Sequence, residues 1–449
     1  MRRVLIVAYF FPPLGGGGIQ RTLKYARYLP VSGWQPVVIT ARNPGYEIRD
    51  PALVGEVPAR LEVHRSTIWE PSRLYRWLVS VTGYAKRAAY REASKVQPAG
   101  PSSVPGEGQS SLPPRLGIWA NLSRYLIFPD DQISWVPFAI RSAEHVLRDT
   151  PCDVLYSTSP PITGHVIAGL LKRRSGLPWV ADFRDPWIGN AFAFPLPGLH
   201  QRFQRWIERW IIRNADRSVF ATPSLTAMYG KRYPSHAHRF VTVPNGYDRS
   251  DYPVRRHLPP DGPFRLVYAG SLYGDQELAI FLGGLRRLRA RRPELAARLK
   301  IEFVGWLSGR NRALADQIEQ DDDLRDVVTF AGFLPRSDAL DRLAGASAAL
   351  HLLAEGAGKD LFVAGKLFDY LALDLPLLAV VPPGDVRTIL GELEWGIIAD
   401  PTDEAVESGL EQLMTAGDGR SRADPTGLYD RMNLARRLAG ILDDVAGPE

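Results

Sequence analysis

Apolar positions along this chain fall into two alternating patterns. Short unbroken runs such as Val4–Phe10 have the length of strands covered on both faces. Between them lie longer segments whose apolar residues recur every three or four positions, as on one side of a helix. In the first half the pattern predicts strands at Val4–Phe10, Pro36–Thr40, Val154–Thr158, Trp179–Asp182, Arg217–Ala221 and Phe240–Val243. Helices are expected over Gly18–Leu29, Pro137–Arg148, Thr163–Arg174 and Leu199–Asn214. The second half predicts strands at Arg265–Ala269, Lys300–Val304, Val327–Phe330, Ala348–Leu352, Leu377–Val381 and Gly396–Ala399. Its helices are expected at Glu277–Arg291, Ser308–Gln320, Ser337–Ala344, Lys366–Leu371, Asp385–Leu393 and Glu404–Ala416. Strand–helix alternation of this kind builds mostly parallel sheets covered by helices, an α/β fold.

The chain has 449 residues, more than one ordinary domain. A turn cluster, Val243-Pro244-Asn245-Gly246-Tyr247-Asp248, is followed by the Pro-rich Tyr252–Pro263 and places a boundary near residue 250. We therefore expect two doubly wound, Rossmann-like domains facing a central cleft, over 1–249 and 250–425, with a helix in 426–449 that packs back across the boundary. Residues 69–128 interrupt the rhythm of the first domain. They hold two amphipathic stretches, Trp69–Ala93 and Arg115–Phe128, around a Pro-, Gly- and Ser-rich loop at 96–114 that is expected to be disordered.

Composition narrows the class. Hydrophobic residues make up 45% of the chain, yet no eighteen consecutive positions are apolar and uncharged, so no membrane-spanning helix is expected. The N-terminal run is short and is followed by Pro12-Pro13, unlike a secretory leader. The single cysteine, Cys152, excludes an internal disulfide and fits a reducing cytoplasm. Eight scattered histidines show no metal-ligand spacing, so no metal site is expected. The net charge of +6 hides an asymmetry: residues 1–249 carry 32 Lys+Arg against 17 Asp+Glu, and the remainder 23 against 32. A basic first half points to an anionic partner such as phosphate groups or a membrane surface. Nucleic acid is disfavoured, because no recognised nucleic-acid-binding signature accompanies the charge.

Candidate chemistry sits at the ends of predicted strands. Gly15–Gly18 join the first strand to a helix, so their amides and the helix N-terminus can hold an anion, with Arg21 one turn on. The spacing is not the dinucleotide-binding GxGxxG. Asp182-Phe183-Arg184-Asp185 follows another strand, where Arg184 can meet developing negative charge and Asp182 or Asp185 can orient a hydroxyl. The same residues equally suit a buried Asp–Arg brace. His165 begins a helix on the same face, as a ligand to sugar or phosphate or as a packing residue.

Five motifs recur in series: Tyr9-Phe10-Phe11-Pro12-Pro13 with Gly16-Gly17; Ala181-Asp182-Phe183-Arg184-Asp185-Pro186-Trp187; Val243–Asp248; Tyr268-Ala269-Gly270-Ser271-Leu272-Tyr273; and Gly365-Lys366-Leu367-Phe368-Asp369-Tyr370-Leu371-Ala372. In order and spacing the chain resembles the family-4-like glycosyltransferases of the two-domain GT-B class. The resemblance implies sugar transfer from a nucleotide-sugar to a glycan or lipid-linked acceptor, with retention, in surface polysaccharide synthesis. It implies no cofactor beyond the nucleotide-sugar co-substrate, and no metal. Lys366 and the helix starting at Gly365 would approach the diphosphate, and Asp369 the ribose hydroxyls, although the two also suit a surface i,i+3 pair worth a few tenths of a kcal/mol. Gly270 and Ser271 would contact phosphate, and Phe333 and Leu334 the base.

Two positions depart from the family pattern. Leu361, beside Asp360, replaces an acidic residue, and the stretch after Ala269 lacks the usual Arg and Lys. The missing charge would come from Lys366, or from Arg21 and Arg184. A non-catalytic GT-B scaffold and a sugar-nucleotide epimerase are the alternatives. The basic, aromatic stretch Trp69–Arg91 and the charge of the first domain predict peripheral contact with the inner face of an anionic membrane.

Overall fold

A computed structural model describes residues 1–46, 48–70, 128–189, 198–256, 259, 262–272, 277–307, 309–353, 356, 361–416 and 423–447. The expected insertion over 69–128 and its loop over 96–114 lie almost wholly outside them. Two compact units result: Met1–Pro244 with Leu434–Glu449, and Asn245–Asn433.

The first unit holds seven parallel strands, β1 Arg2–Val7, β2 Trp34–Arg42, β3 Glu62–Thr67, β4 Val154–Ser159, β5 Trp179–Phe183, β6 Arg217–Phe220 and β7 Phe240–Thr242. Their order is β3-β2-β1-β4-β5-β6-β7. Among the described residues up to Pro244, helices of eight residues or more are α1 Gly17–Tyr28, α2 Val136–Asp149, α3 Thr163–Ser175, α4 Gly198–Asn214 and α5 Pro223–Arg232. Central strands are apolar throughout because both faces are covered: Val4 to Val7 and every residue of β4 are buried. Leu5 sits between Val37 and Leu155 in the sheet, and Trp34, Trp135 and Trp179 fill the layers around it.

Two elements of this unit escape the sequence reading. β3 is an edge strand of mostly polar, half-buried residues, so it carries no apolar run. α5 has a legible start: Thr222 caps it by accepting from the Leu225 amide at 3.2 Å, and Pro223 takes the first helical position.

The second unit holds β8 Phe264–Ala269, β9 Leu299–Val304, β10 Val328–Gly332, β11 Ala348–Leu352, β12 Leu377–Val380 and β13 Ile397–Ala399. All are parallel, in the order β10-β9-β8-β11-β12-β13. Its main helices are α6 Glu277–Arg291, α7 Gly309–Ile318, α8 Arg336–Ala344, α9 Gly365–Ala372, α10 Asp385–Glu392 and α11 Asp403–Thr415. Along β8, Leu266 and Tyr268 point into one apolar layer and Val267 and Ala269 into the other, so this sheet too is buried on both sides.

The last helix, α12 Arg431–Ala446, gives Leu434, Ala435, Leu438, Ala439, Ile441 and Leu442 to the core of the first unit. Trp34 donates from its indole to Asp443 at 3.0 Å, and Arg2 to the Gly447 carbonyl at 2.7 Å. The two chain crossings are bonded to each other: Tyr247 donates to the Tyr429 carbonyl at 3.0 Å and accepts from the Arg431 amide at 2.8 Å. Among the described residues no helix is long and apolar enough to cross a membrane.

Candidate functional site

In doubly wound sheets, ligands bind outside the carboxyl ends of the strands where the order reverses. That point falls beside β1 and β4 in the first unit and beside β8 and β11 in the second. Most of the sequence-predicted residues gather at these two places, whereas Phe333 and Leu334 follow the edge strand β10.

In the first unit, the loop from β1 reaches α1 through Gly16 and Gly17, both exposed. The Arg184 guanidinium lies where a Cβ on Gly18 would stand, so any side chain there would push the arginine aside. The glycine turn and the loop after β5 therefore converge, and a cation lies against the amide-rich start of α1. Arg184 also lies over the Phe10 ring at 5.9 Å, and its Nε is buried without a hydrogen-bond partner. Among the described residues it pairs with no carboxylate. Asp185 stands half-buried next to it; burial pushes its carboxyl up, against the pull of Arg184.

Arg21 and Asp182 are instead spent on each other. Both are buried, and the guanidinium donates to both carboxylate oxygens at 2.8 Å. Arg21 also donates to the carbonyls of Val243 at 2.9 Å and Pro244 at 2.8 Å. Tyr156 at 2.6 Å and Thr158 at 3.2 Å complete the shell of Asp182. Burial would raise the Asp182 carboxyl, but Arg21 and these donors hold it below the usual range.

His165 is fully buried against the Phe183 ring, 4.5 Å between centroids. Its Nδ1 meets Ser157 Oγ at 2.8 Å and its Nε2 has no partner. Burial pulls its pKa down to about 3, with Asp182 opposing.

In the second unit, Gly270 directly follows β8, with φ of +134°. A Cβ there would stand 3.0 Å from Lys366 Cε and 3.1 Å from its Nζ, so the glycine lets the lysine cross directly over the turn. Lys366 lies in the first turn of α9, where helix amides lack internal partners. It donates to Tyr268 Oη and stands 3.9 Å from the centre of that ring. Tyr268 in turn donates to the Ser271 carbonyl at 3.1 Å, tying the lysine's support to the Gly270–Ser271 turn. Tyr370, on the same helix, accepts from the Ala269 amide and donates to the Leu350 carbonyl, both at 3.1 Å, joining β8 to β11 where the order reverses.

Asp369 Oδ1 accepts from Tyr252 Oη at 2.7 Å and from Arg336 Nη2 at 3.0 Å. Arg336 also lies over the Tyr252 ring at 5.7 Å. Burial and the neighbouring carboxylate push the Tyr252 phenol well up. Arg336 brings a cation beside Asp369, and neither it nor Tyr252 figures in the sequence reading. Tyr252 falls in a Pro-rich stretch that reads as linker, and a lone arginine after Pro335 carries no pattern. Phe333 is 58% exposed, whereas Leu334 is half-buried against the core.

His351 on β11 is buried beneath Lys366; burial and that ammonium hold its pKa at about 3. The linkage with pH has one sign for both buried histidines. Unfolded, each takes up a proton as pH falls below about 6.5; folded, neither does until about pH 3. Stability is thus expected to fall as pH drops from 7 towards 4, by up to ~1.4 kcal/mol per unit for each histidine. Urea midpoints measured across that interval check this. His165→Asn with His351→Asn is expected to flatten the limb, and an unchanged slope would contradict it.

Several solved structures match nearly the whole chain, three of them as follows. HepE of Anabaena, solved with UDP, is 14% identical, with 98% of this chain and 99% of that one covered and a TM-score of 0.59. Sucrose-phosphate synthase of Thermosynechococcus elongatus is 14% identical, with 98% of each chain covered and a TM-score of 0.58. A glycosyltransferase of Rickettsia africae is 11% identical over 100% of both chains, with a TM-score of 0.60. The fold is that of the two-domain GT-B glycosyltransferases. Residues 101–251 match the model of Glycosyltransferase Family 4. No curated protein matches the chain by sequence.

Proposed function

We propose that this glycosyltransferase moves a sugar from a nucleotide-sugar to a hydroxyl of a glycan or lipid-linked acceptor, with retention and without a metal. The second unit binds the donor and the first the acceptor. The observation that carries this reading is Lys366 lying across Gly270 at the start of α9, with Asp369 one turn further on. A diphosphate there would meet an ammonium, the helix amides and the Gly270–Ser271 turn, while Asp369 takes up ribose hydroxyls. In the first unit Gly16, Gly17, Gly18 and Arg184 offer amides and a cation to negative charge, with Asp185 beside the acceptor hydroxyl. Arg21, Asp182 and His165 act as positioning residues, since all three are buried.

The Anabaena neighbour was solved with UDP and with UDP-glucose, so a uridine diphosphate sugar is the first donor to test. Surface polysaccharide assembly at the cytoplasmic face of a membrane is the setting this chemistry fits. A thermal-shift screen of UDP-, GDP- and ADP-sugars decides the donor half: we expect stabilisation by one base, lost in Asp369→Ala. Stabilisation by none would end the reading. The stretch after Ala269, without an Arg–Lys pair, favours one alternative, a scaffold that binds nucleotide without turnover. Nucleotide binding with no donor hydrolysis or transfer would select it.

A further inference from the structure

We infer that the outer face of α4 is a docking surface for an anionic lipid bilayer. The inference deepens the membrane setting of the proposed function and rests on that setting alone, not on the chemistry of transfer. Leu199, Phe203 and Trp206 follow one another at i, i+4 and i+7 and remain 63%, 51% and 63% exposed. Three large apolar side chains in a row on one surface helix are not the scattered singles of an ordinary surface. Arg202, Arg205, Arg209 and Arg213, also exposed, run beside this ridge. Among the described residues none of the four pairs with a carboxylate. The only acid of the helix, Glu208, faces inward, where it accepts from Tyr229 at 2.9 Å, Tyr233 at 2.8 Å and Arg232 at 2.8 Å. Apart from Gln201, the exposed side chains of the helix are therefore cationic or apolar.

One occupant satisfies both halves of that face. Lipid phosphates neutralise the arginines while Trp206, Phe203 and Leu199 enter the headgroup–acyl boundary, as in helices that lie in a membrane interface. A second copy of the chain, docked two-fold on the same face, would set arginine against arginine. The excess of basic residues over 1–249 supplies long-range attraction of the same sign.

Flotation with equimolar phosphatidylglycerol–phosphatidylcholine vesicles tests this, with pure phosphatidylcholine as control. The full chain is expected to float with the anionic vesicles at low salt and to be released as salt rises. Arg202→Gln with Arg205→Gln should lower partitioning roughly thirtyfold, at about fivefold per arginine. Phe203→Ser with Trp206→Ser should lower it by on the order of tenfold or more. Circular dichroism melting curves unchanged in both variants would establish that they fold. Equal binding to neutral vesicles, no binding at low salt, or variants that bind like the parent would each overturn the inference. So would a dimer dissolved by Phe203→Ser with Trp206→Ser, which would make the face a protein interface. Nucleotide stabilisation in the thermal-shift screen is independent of these substitutions, so failure there touches only the transfer reading.

Discussion

Replacing Lys366 by alanine is expected to lower kcat/KM for sugar transfer roughly a hundred- to a thousandfold, the scale for removing one preorganised group facing developing negative charge. The ammonium is held by the Tyr268 ring and hydroxyl and crosses a turn kept clear by Gly270, so little of it is reorganised on binding. The chain lacks an Arg–Lys pair after Ala269, so in the proposed function this lysine carries a larger share of the diphosphate charge. Removing the side chain also deletes the cation that helps hold His351 neutral, so the fold should tolerate the loss. Steady-state kinetics with the donor found by thermal shift would check the effect, with urea unfolding as the control for stability. A variant with unchanged kcat/KM would show that the diphosphate is held elsewhere.

The second large effect is on stability. Arg21→Met is expected to cost roughly 3–5 kcal/mol, because it strands the fully buried Asp182 carboxylate and frees the Val243 and Pro244 carbonyls. The pair spans three elements, α1, β5 and the segment leaving the first unit, so the loss should appear as a lower urea midpoint. The pH dependence has a definite sign. Asp182 titrates below its unfolded value, so its contribution is present above about pH 4 and is lost as pH falls through the lower folded value. Without Arg21 the buried carboxyl would titrate higher and be relieved by protonation. The gap between parent and Arg21→Met should therefore narrow on acidification. A gap that is constant between neutral pH and pH 3, or one below ~1 kcal/mol, would show that the pair is not the brace described.

Periodicity reveals the strand–helix alternation because buried parallel strands must be apolar on both faces, as Val4–Val7 and Leu266–Ala269 are. It misses β3, whose Glu62, His64 and Arg65 sit at an edge where burial imposes no such demand. The glycine turn and the Asp182–Asp185 loop are each visible in the sequence, but not that Arg184 folds onto Gly18 while Arg21 turns inward to Asp182. Both arginines have the same local attraction to the turn. Which one meets it is set by packing across more than 150 residues of chain. Arg336 and Tyr252 are invisible for the same reason, since only tertiary structure brings them to Asp369.

The passage of the last helix into the core of the first unit has a consequence for synthesis. A ribosome releases β1 through β7 long before Leu434 and Leu442, so the first sheet waits with an uncovered patch while the second unit emerges whole. The polypeptide made first is thus the one completed last, and a nascent or recombinant fragment ending at Pro244 would carry that bare patch permanently.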